Sequence, residues 1–349
     1  MSRVRIRVRE RAIWERVLRA RSDLAAARTH AETLIGMTRD LGNAVASSES
    51  VVANCQAEIR ELRAELDRQS ELAVARHERV LLALRMVRDQ DAAARRALWK
   101  LRATPEYQMA FDEDEPLVSV IIPTYLEWPL LRDRALPSVL EQTYERWEAI
   151  VVGDAAPDET RQVVESFRDD RIRFVNLPYR GPYPEDPHSA WLVSGTTPWN
   201  TGVALAKGRW IGSTGDDDAL RPSYLEALLK CARQEGAEVP YGLLHSCNPD
   251  SEEDADWGKF PPEFGHWGIQ TSLLHAGLSF LPLEPSDWVF GIPNDWSFAD
   301  RLLRIGVRFA MIEQPVVDYY SSRAWAERED RRMSRPTFEG ALGPLHDSQ

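Results

Sequence analysis

The most informative part of the sequence is Arg209-Trp-Ile-Gly-Ser-Thr-Gly-Asp-Asp-Asp-Ala-Leu-Arg-Pro222. Its first half is short and apolar, as expected of a buried strand, and Pro222 stands where a helix can begin. Three carboxylates, Asp216, Asp217 and Asp218, follow the predicted strand. Mg²⁺ and Mn²⁺ prefer oxygen ligands and are commonly shared between one or two carboxylates and substrate phosphates. The triplet therefore predicts a metal site for a nucleotide diphosphate, although an acidic cluster before a helix is also a common cap.

Outward from this stretch, strands and helices alternate from residue 117 onward. The nearly continuous apolar strands indicate a parallel sheet that is covered on both faces, and hence an α/β fold. In such sheets, ligands bind beyond the carboxyl ends of the strands, where Thr124, Asp154 and the acidic triplet all lie. The predicted strands are 117–122, 147–152, 172–175 and 209–213, and the predicted helices are 129–142, 157–167 and 200–206.

The N-terminal part of the chain has a different pattern. Apolar or small residues recur at heptad spacing through residues 13–45 and again through 52–87, which predicts a coiled coil or a helical hairpin. We therefore expect a homo-oligomer formed through residues 13–98. The predicted domains are a helical region (1–105), an acidic linker (106–116), an α/β domain (117–325) and a C-terminal tail (326–349).

Composition excludes several classes of protein. A net charge of −12 and a pI near 5.2 argue against nucleic-acid binding, for which a basic patch is usual. Cys55, Cys231 and Cys247 are few and unclustered, so neither a disulfide framework nor a cysteine metal site is expected, and a cytoplasmic location fits best. No stretch has the roughly 20 apolar residues that a membrane span needs. The alternating arginines of residues 3–11 leave open a peripheral contact with the inner face of the membrane.

Four motifs in order carry a resemblance to a known family. They are Val118-Ser-Val-Ile-Ile-Pro-Thr-Tyr125, Val151-Val-Gly-Asp-Ala-Ala-Pro-Asp-Glu-Thr160, Asn200-Thr-Gly-Val-Ala-Leu-Ala-Lys-Gly208 and Asp216-Asp-Asp-Ala-Leu-Arg-Pro222. Together they closely resemble the family 2 glycosyltransferases of GT-A fold, over roughly residues 116–320. The resemblance implies a Rossmann-like, mostly parallel sheet flanked by helices.

The resemblance also implies roles for individual residues. Asp216 and Asp218 would bind Mn²⁺ or Mg²⁺, and Asp295, at the start of a later helix, would be the catalytic base. Asp295 also has a simpler reading as a helix cap, and a cap and a base are not exclusive. The residues implied to bind the nucleotide are Pro123, Thr124, Tyr125, Asp154, Asp158, Asn200, Asp216 and Asp217.

The chemistry implied by the resemblance is a single displacement at the anomeric carbon of a nucleotide sugar, which inverts the configuration. A UDP-sugar is the favoured donor, and the acceptor is a hydroxyl of a glycan or another molecule. No Gln-x-x-Arg-Trp stretch follows Asp295, so transfer of one sugar per encounter is expected rather than processive synthesis.

Four departures from the family pattern keep other interpretations open. The family usually has an Asp where this chain has Gly153, and its acidic motif often begins at the position of Gly215. An Arg is common at the position of Trp199, and a Glu at the position of Asn294. Lys207 or Arg209 could replace the missing Arg. The alternative is a degenerate GT-A scaffold that acts through its coiled coil, since fold alone does not establish activity. A nucleotidyltransferase is disfavoured because residues 123–129 lack a Gly-rich, basic loop.

Overall fold

The computed structural model describes residues 21, 23–30, 32–33, 37, 49–88, 91–247 and 255–320. The chain divides into two compact units, Met1–Gln90 and Asp91–Gln349. This boundary precedes the predicted one at residue 105. The predicted tail, 326–349, lies outside the described residues.

Within the described part of the first unit, α1 (Glu49–Arg88) is a long helix of 40 residues, and residues 21, 23–30, 32–33 and 37 are also helical. The predicted helical N-terminal region is thus confirmed, whereas most of the first heptad block lies outside the described residues. Pairing of this helix as a coiled coil stays a prediction. Several of its apolar side chains face water: Leu62, Leu72, Val74, Leu82 and Met86.

The second unit begins with two helices, α2 (Asp91–Arg102) and α3 (Pro105–Asp112). The Thr104 hydroxyl caps α3 by accepting from the N–H of Tyr107 at 3.2 Å, and Pro105 occupies the first turn, where no N–H is needed. Tyr107 and Ala110 are buried. The predicted linker, 106–116, is therefore largely a helix that packs on the core. Of the acidic residues that indicated a linker, Asp112 is the exposed last residue of this helix, and residues 113–115 follow it.

The first sheet has five strands in the order β3-β2-β1-β4-β8. β1, β2, β3 and β4 are parallel, and β8 is antiparallel to β4. The predicted mostly parallel sheet is confirmed. The strands are β1 (Val118–Thr124), β2 (Trp147–Gly153), β3 (Ile172–Asn176), β4 (Trp210–Ser213) and β8 (Leu274–His275).

Helices cover both faces of this sheet. Successive residues of a strand point to opposite faces, so Val120 and Ile122 pack into one core cluster while Ile121 and Ile150 pack into the other. Burial on both sides explains why β1 and β2 are apolar almost throughout. The helices are α4 (Trp128–Leu130, a π-helical turn Leu131–Ala135, and Leu136–Leu140), α5 (Asp158–Ser166), α6 (Pro187–Val193), α7 (Thr196–Leu205), α8 (Tyr224–Glu235) and α9 (Asn294–Ile305).

A second sheet, which the sequence analysis did not predict, has the order β5-β9-β6-β7. β9 runs parallel to β6, and β5 and β7 pair antiparallel at the two edges. The strands are β5 (Ala219–Leu220), β6 (Val239–Ser246), β7 (Ala255–Trp257) and β9 (Phe309–Tyr319). Among the described residues, no helix is both long enough and apolar enough to cross a membrane.

Candidate active site

The carboxyl ends of β1 and β2 form one rim together with the acidic triplet. The N–H of Asp154 donates to the carbonyl of Thr124 at 2.8 Å, and the N–H of Tyr125 donates to Oδ2 of Asp216 at 3.4 Å. Thr124, Tyr125, Asp154 and Asp216, each predicted from the sequence, therefore lie side by side. The parallel register of β1 with β2 and β4 positions them, because it aligns the ends of these strands.

The carboxyl groups of the triplet have raised pKa values. Burial, followed by the charge of Asp217, raises the pKa of Asp216 to about 7. Asp218 is buried, and burial together with the charge of Asp217 holds its pKa well above the usual range. The pKa of Asp217 is also raised, chiefly by burial. Loss of hydration and mutual repulsion thus both oppose ionisation of the triplet.

Glycine at position 215 fits the tight turn that precedes the triplet. A Cβ atom there would lie 2.8 Å from Oδ1 of Asp217 and 3.4 Å from Oδ2 of Asp218. The departure at Gly215 therefore gives these two side chains room to fold back over the backbone. It leaves the acidic residues themselves in place.

The triplet fits a hard divalent cation. It offers carboxylate oxygens, the ligands that Mg²⁺ and Mn²⁺ prefer, at a place where burial and like charge raise the pKa of each carboxyl. A cation would reverse both effects by compensating the negative charge. Asp216 and Asp218 are the residues that would bind it.

Arg134 of α4 is the cation that lies against the triplet, and sequence reasoning missed it. Its guanidinium donates to the carbonyl of Asp217 and stacks over the Tyr320 ring, 3.6 Å from the centroid. Its charge lowers the pKa of Asp217 and Asp218, against the larger effect of burial. No local pattern points to this contact, because Arg134 precedes the triplet by some eighty residues.

The suggestion that Lys207 or Arg209 replaces the missing Arg is wrong. Both precede β4, at its amino end, whereas the triplet follows its carboxyl end. Arg209 forms an ion pair with Glu113 at 2.9 Å. Trp199 itself is buried and packs edge-on against Phe298, with ring centroids 5.8 Å apart.

The loop after β3 lies on the same rim and engages Asp154. The carboxylate of Asp154 accepts from the N–H of Gly181 at 2.8 Å and from the hydroxyl of Tyr183. Burial, followed by the hydrogen bond to Asp154, raises the pKa of Tyr183. Arg180 stacks over the Tyr125 ring at 3.9 Å. The two predicted nucleotide residues Tyr125 and Asp154 are thus both covered by side chains of one loop.

Because Gly153 has no side chain, the side chain of Asn176 on the neighbouring strand β3 packs against its backbone. A Cβ atom at this position would lie 2.4 Å from Oδ1 of Asn176 and 2.9 Å from Cβ of Ala156. Asn176 is the β3 partner of Gly153, and it both accepts from the N–H of Ala156 at 2.9 Å and donates to its carbonyl at 2.7 Å. An Asp at 153 does not fit here, and Asn176 orders the turn that carries Asp154.

Asp295 lies in the first turn of α9, as the sequence predicted. Burial raises the pKa of Asp295 to about 6, although hydrogen bonds from the backbone of Trp296 and Ile269 oppose the shift. The preceding Asn294 accepts from the N–H of Asp295 at 2.8 Å and donates to Oγ1 of Thr196 at 2.7 Å. Asn294 therefore fixes the start of α9 against the start of α7. A carboxyl group with a pKa near neutrality is suited to proton transfer.

The remaining predicted residues lie in other surroundings. Asn200 forms two hydrogen bonds with the backbone of Leu283, at 2.8 and 2.9 Å, which tie α7 to that segment. Asp158 is exposed in the first turn of α5, and Pro123 belongs to β1. Their contact with a nucleotide stays a prediction.

The sheet order, the acidic triplet after β4 and the small second sheet define an α/β domain of GT-A type. Residues 119–183 match the family model described as "Glycosyl transferase family 2". This segment contains β1 and β2 with Thr124, Tyr125, Asp154 and Tyr183, and the triplet follows it.

The curated relatives include a named glucosyltransferase and a succinoglycan biosynthesis protein. The chain is 30% identical over 138 residues to the UDP-Glc:alpha-D-GlcNAc-diphosphoundecaprenol beta-1,3-glucosyltransferase WfgD of Escherichia coli, covering 40% of this chain and 49% of WfgD. It is 33% identical over 190 residues to the succinoglycan biosynthesis protein ExoO of Rhizobium meliloti (strain 1021), covering 51% of this chain and 50% of ExoO. The chain thus spans half or less of the length of these relatives. These matches support a family 2 glycosyltransferase.

Among solved structures, the chain is similar to S. aureus TarS 1-349 in complex with UDP-GlcNAc. The TM-score is 0.48 at 16% sequence identity, over 59% of this chain and 58% of that chain. A mannosyltransferase from Pyrobaculum calidifontis in complex with GDP-Man and Mn²⁺ is similar with a TM-score of 0.44 at 18% identity, over 68% of this chain and 69% of that chain.

Proposed function

We propose that this protein transfers a sugar from a nucleotide-diphosphate sugar to an acceptor hydroxyl, with a divalent metal ion bound by Asp216 and Asp218. The observation that carries the proposal is the rim itself. Hydrogen bonds join the ends of β1 and β2 to a triplet of carboxyls with raised pKa values. Such a site would accept a diphosphate together with its cation.

Donor recognition is assigned to the part of the rim formed by Tyr125 and Asp154. An aromatic ring beside a carboxylate suits a nucleotide, because the base can stack on the ring while the carboxylate accepts hydrogen bonds from the base or ribose. A UDP-sugar is the favoured donor. The name of WfgD, which aligns with part of this chain, supports this choice.

The metal, when bound, would neutralise negative charge on the departing diphosphate. Arg134 lies against the triplet and would add a fixed positive charge there, which costs no reorganisation when the bond breaks. The backbone of β9 holds Asp218 in place, because the N–H of Tyr320 donates to its Oδ1 at 3.1 Å.

Asp295 is proposed as the general base that takes the proton from the acceptor hydroxyl. Its pKa of about 6 leaves it mostly ionised at neutral pH, yet more basic than an ordinary aspartate. One direct displacement would invert the anomeric configuration and transfer a single sugar per encounter. The acceptor is proposed to be a glycan or another hydroxyl compound, at the cytoplasmic face of the membrane.

Calorimetric titration with UDP, GDP and dTDP, each with and without Mn²⁺, tests the donor site. We expect one nucleotide to bind only when Mn²⁺ is present. Asp218→Asn removes a metal ligand with little change in shape and is expected to weaken that binding by at least tenfold. Asp170→Asn, which removes an exposed carboxylate from the loop before β3, is the matched control and should bind as the unaltered protein does.

Failure of folded protein to bind any of the three nucleotides would count against sugar transfer. It would favour the alternative, a degenerate GT-A scaffold that acts through its N-terminal helix. Binding that is unaffected by Mn²⁺ or by Asp218→Asn would retain the nucleotide site but remove the metal from the proposal.

A further inference from the structure

A second group of metal-ligand side chains lies on the second sheet, apart from the acidic triplet. His245, Cys247 and Asp318 each offer one ligand atom, and these three atoms lie within 4.8 Å of one another. All three residues are partly buried, so an ion could reach them from solvent and still be enclosed on one side. We call these three residues the His-Cys-Asp cluster.

Strand pairing brings the cluster together. The parallel register of β6 with β9 pairs His245 with Asp318. Cys247 follows His245 by two residues, and side chains two apart in an extended chain share a face. The N–H of Cys247 donates to the carbonyl of Tyr319 at 2.8 Å, which continues the pairing beyond the end of β6. Three side chains from two strands are thus fixed by backbone hydrogen bonds.

His245 has a carboxylate partner of the kind that orients metal-bound histidines. On its other side, β6 pairs with β7, which places Asp256 opposite His245. Nδ1 of His245 lies 2.7 Å from Oδ1 of Asp256. A carboxylate at this distance favours the proton on Nδ1 and leaves the lone pair of Nε2 for a metal, which is the usual arrangement around histidine ligands.

Asp318 has one oxygen engaged and a second one to offer. Nε of Arg221 donates to Oδ1 of Asp318 at 2.8 Å. A carboxylate has a second oxygen with its own lone pairs, so this ion pair positions the group without exhausting it. Arg221 also offsets part of the negative charge that a thiolate and two carboxylates would bring together.

The donor set selects the kind of ion. One nitrogen, one sulfur and one oxygen are typical ligands of Zn²⁺, whereas Mg²⁺ and Mn²⁺ prefer oxygen alone. Three protein ligands leave the fourth position of a tetrahedral site to water. The acidic triplet and the His-Cys-Asp cluster therefore have different preferences for metals.

We propose that His245, Cys247 and Asp318 bind one Zn²⁺ ion, with water as the fourth ligand and Asp256 orienting His245. On binding, the thiol of Cys247 loses its proton to solvent and the thiolate coordinates the ion. The metal cross-links the end of β6 to the end of β9. Tyr320, which directly follows β9, donates to Asp218, so the zinc site stiffens the backbone that positions the proposed active-site metal ligand.

Cobalt substitution of the full chain, with any affinity tag removed, tests the proposal without an activity assay. Co²⁺ bound to a thiolate gives a near-ultraviolet charge-transfer band, and we expect this band to saturate at one equivalent and to disappear when Zn²⁺ is added. Cys247→Ser should abolish it. Cys231→Ala, which alters a buried cysteine of α8, should keep it, as should Asp218→Asn in the acidic triplet.

Asp256→Asn tests the orienting role, because loss of such a partner typically weakens metal affinity by about 10- to 100-fold. Circular dichroism on every variant verifies the fold. A folded protein without the band overturns the proposal, and so does a band that persists in Cys247→Ser. Because none of these readouts involves a nucleotide, their failure is distinguishable from failure of the proposed sugar transfer.

Discussion

The three adjacent aspartates of the triplet are the same residue type, but each has different hydrogen-bond partners. Asp216 accepts from the end of β1, Asp218 accepts from the end of β9, and the backbone of Asp217 accepts from Arg134. The two outer residues are therefore each tied to a strand of a different sheet. This asymmetry supports assigning the metal to the outer pair.

Asp295→Asn tests the proposed base. We expect sugar transfer to fall by about 10²- to 10⁴-fold, since general base catalysis is typically worth that much. Nucleotide binding should change by less than about twofold, because Asp295 has no part in the rim. Comparing turnover with calorimetric affinity separates the two effects, and an equal loss of both would contradict the assignment.

The pH profile of the unaltered protein checks the same residue. The base must be ionised, and burial raises the pKa of Asp295 to about 6, so turnover should fall as the pH decreases through about 6. An ordinary aspartate would lose activity only near pH 4. Asp295→Glu restores a carboxyl group at this position. Its turnover should therefore again fall at low pH, in part as in the unaltered protein, whereas Asp295→Asn should lack this fall.

Tyr183→Phe tests the loop that covers Asp154. A nucleotide that binds Asp154 must displace the Tyr183 hydroxyl, and a hydrogen bond to a charged group is worth about 1.5–3 kcal/mol. We expect the nucleotide to bind about tenfold to a hundredfold more tightly to the variant. Tyr179→Phe, in the same loop but exposed, is the control. Weaker binding by Tyr183→Phe would instead make the hydroxyl a nucleotide contact.

At the scale of elements, the pattern of apolar residues located most of the first sheet. Predicted strands at 117–122 and 147–152 correspond to β1 (Val118–Thr124) and β2 (Trp147–Gly153) because both strands are buried on two faces. The rim residues followed directly, since parallel strands end on one edge. For the same reason, Thr124, Asp154 and the triplet could be grouped from sequence alone.

The second sheet and the helix α3 could not be found in this way. β6 pairs with β9, which lies some seventy residues later, and no local pattern reports such a pairing. In α3, the acidic residues suggested a linker, whereas Tyr107 and Ala110 alone point to the core. Arg134 and Asn176 were missed because their importance depends on neighbours that are distant in sequence.

Removing α2 and α3 should destabilise the α/β unit. Their buried residues include Leu98 and Tyr107, and Arg102 pairs with Glu238, whose side chain is fully buried. Loss of these contacts should cost roughly 5 kcal/mol or more, because it exposes apolar surface and leaves the buried Glu238 carboxylate with Arg308 but without Arg102 and Tyr107. Urea unfolding of the fragments 91–349 and 113–349 compares their stabilities. Equal urea midpoints would show that residues 91–112 do not contribute to the stability of the α/β unit.

At the scale of the whole molecule, the apolar surface of α1 bears on oligomeric state. Leu72, Leu82 and Met86 are exposed, and exposed apolar rows on a long helix commonly mark a contact with another helix. We expect light scattering to give an oligomer for the full chain and a monomer for residues 91–349. Leu72→Glu with Leu82→Glu should dissociate the oligomer, whereas a monomeric full chain would refute the predicted role of 13–98.

The hydrogen bond from Tyr320 to Asp218 has a consequence for synthesis of the protein. Its two partners are 102 positions apart in the sequence, so the ribosome synthesises the acidic triplet well before β9. All five strands of the first sheet, ending with β8 at His275, can emerge and pair before β9 exists. A nascent or prematurely terminated chain can therefore present the proposed metal-binding carboxylates without the backbone donor that holds Asp218. Under the proposed function, catalytic competence would begin only once β9 and Tyr320 have been translated.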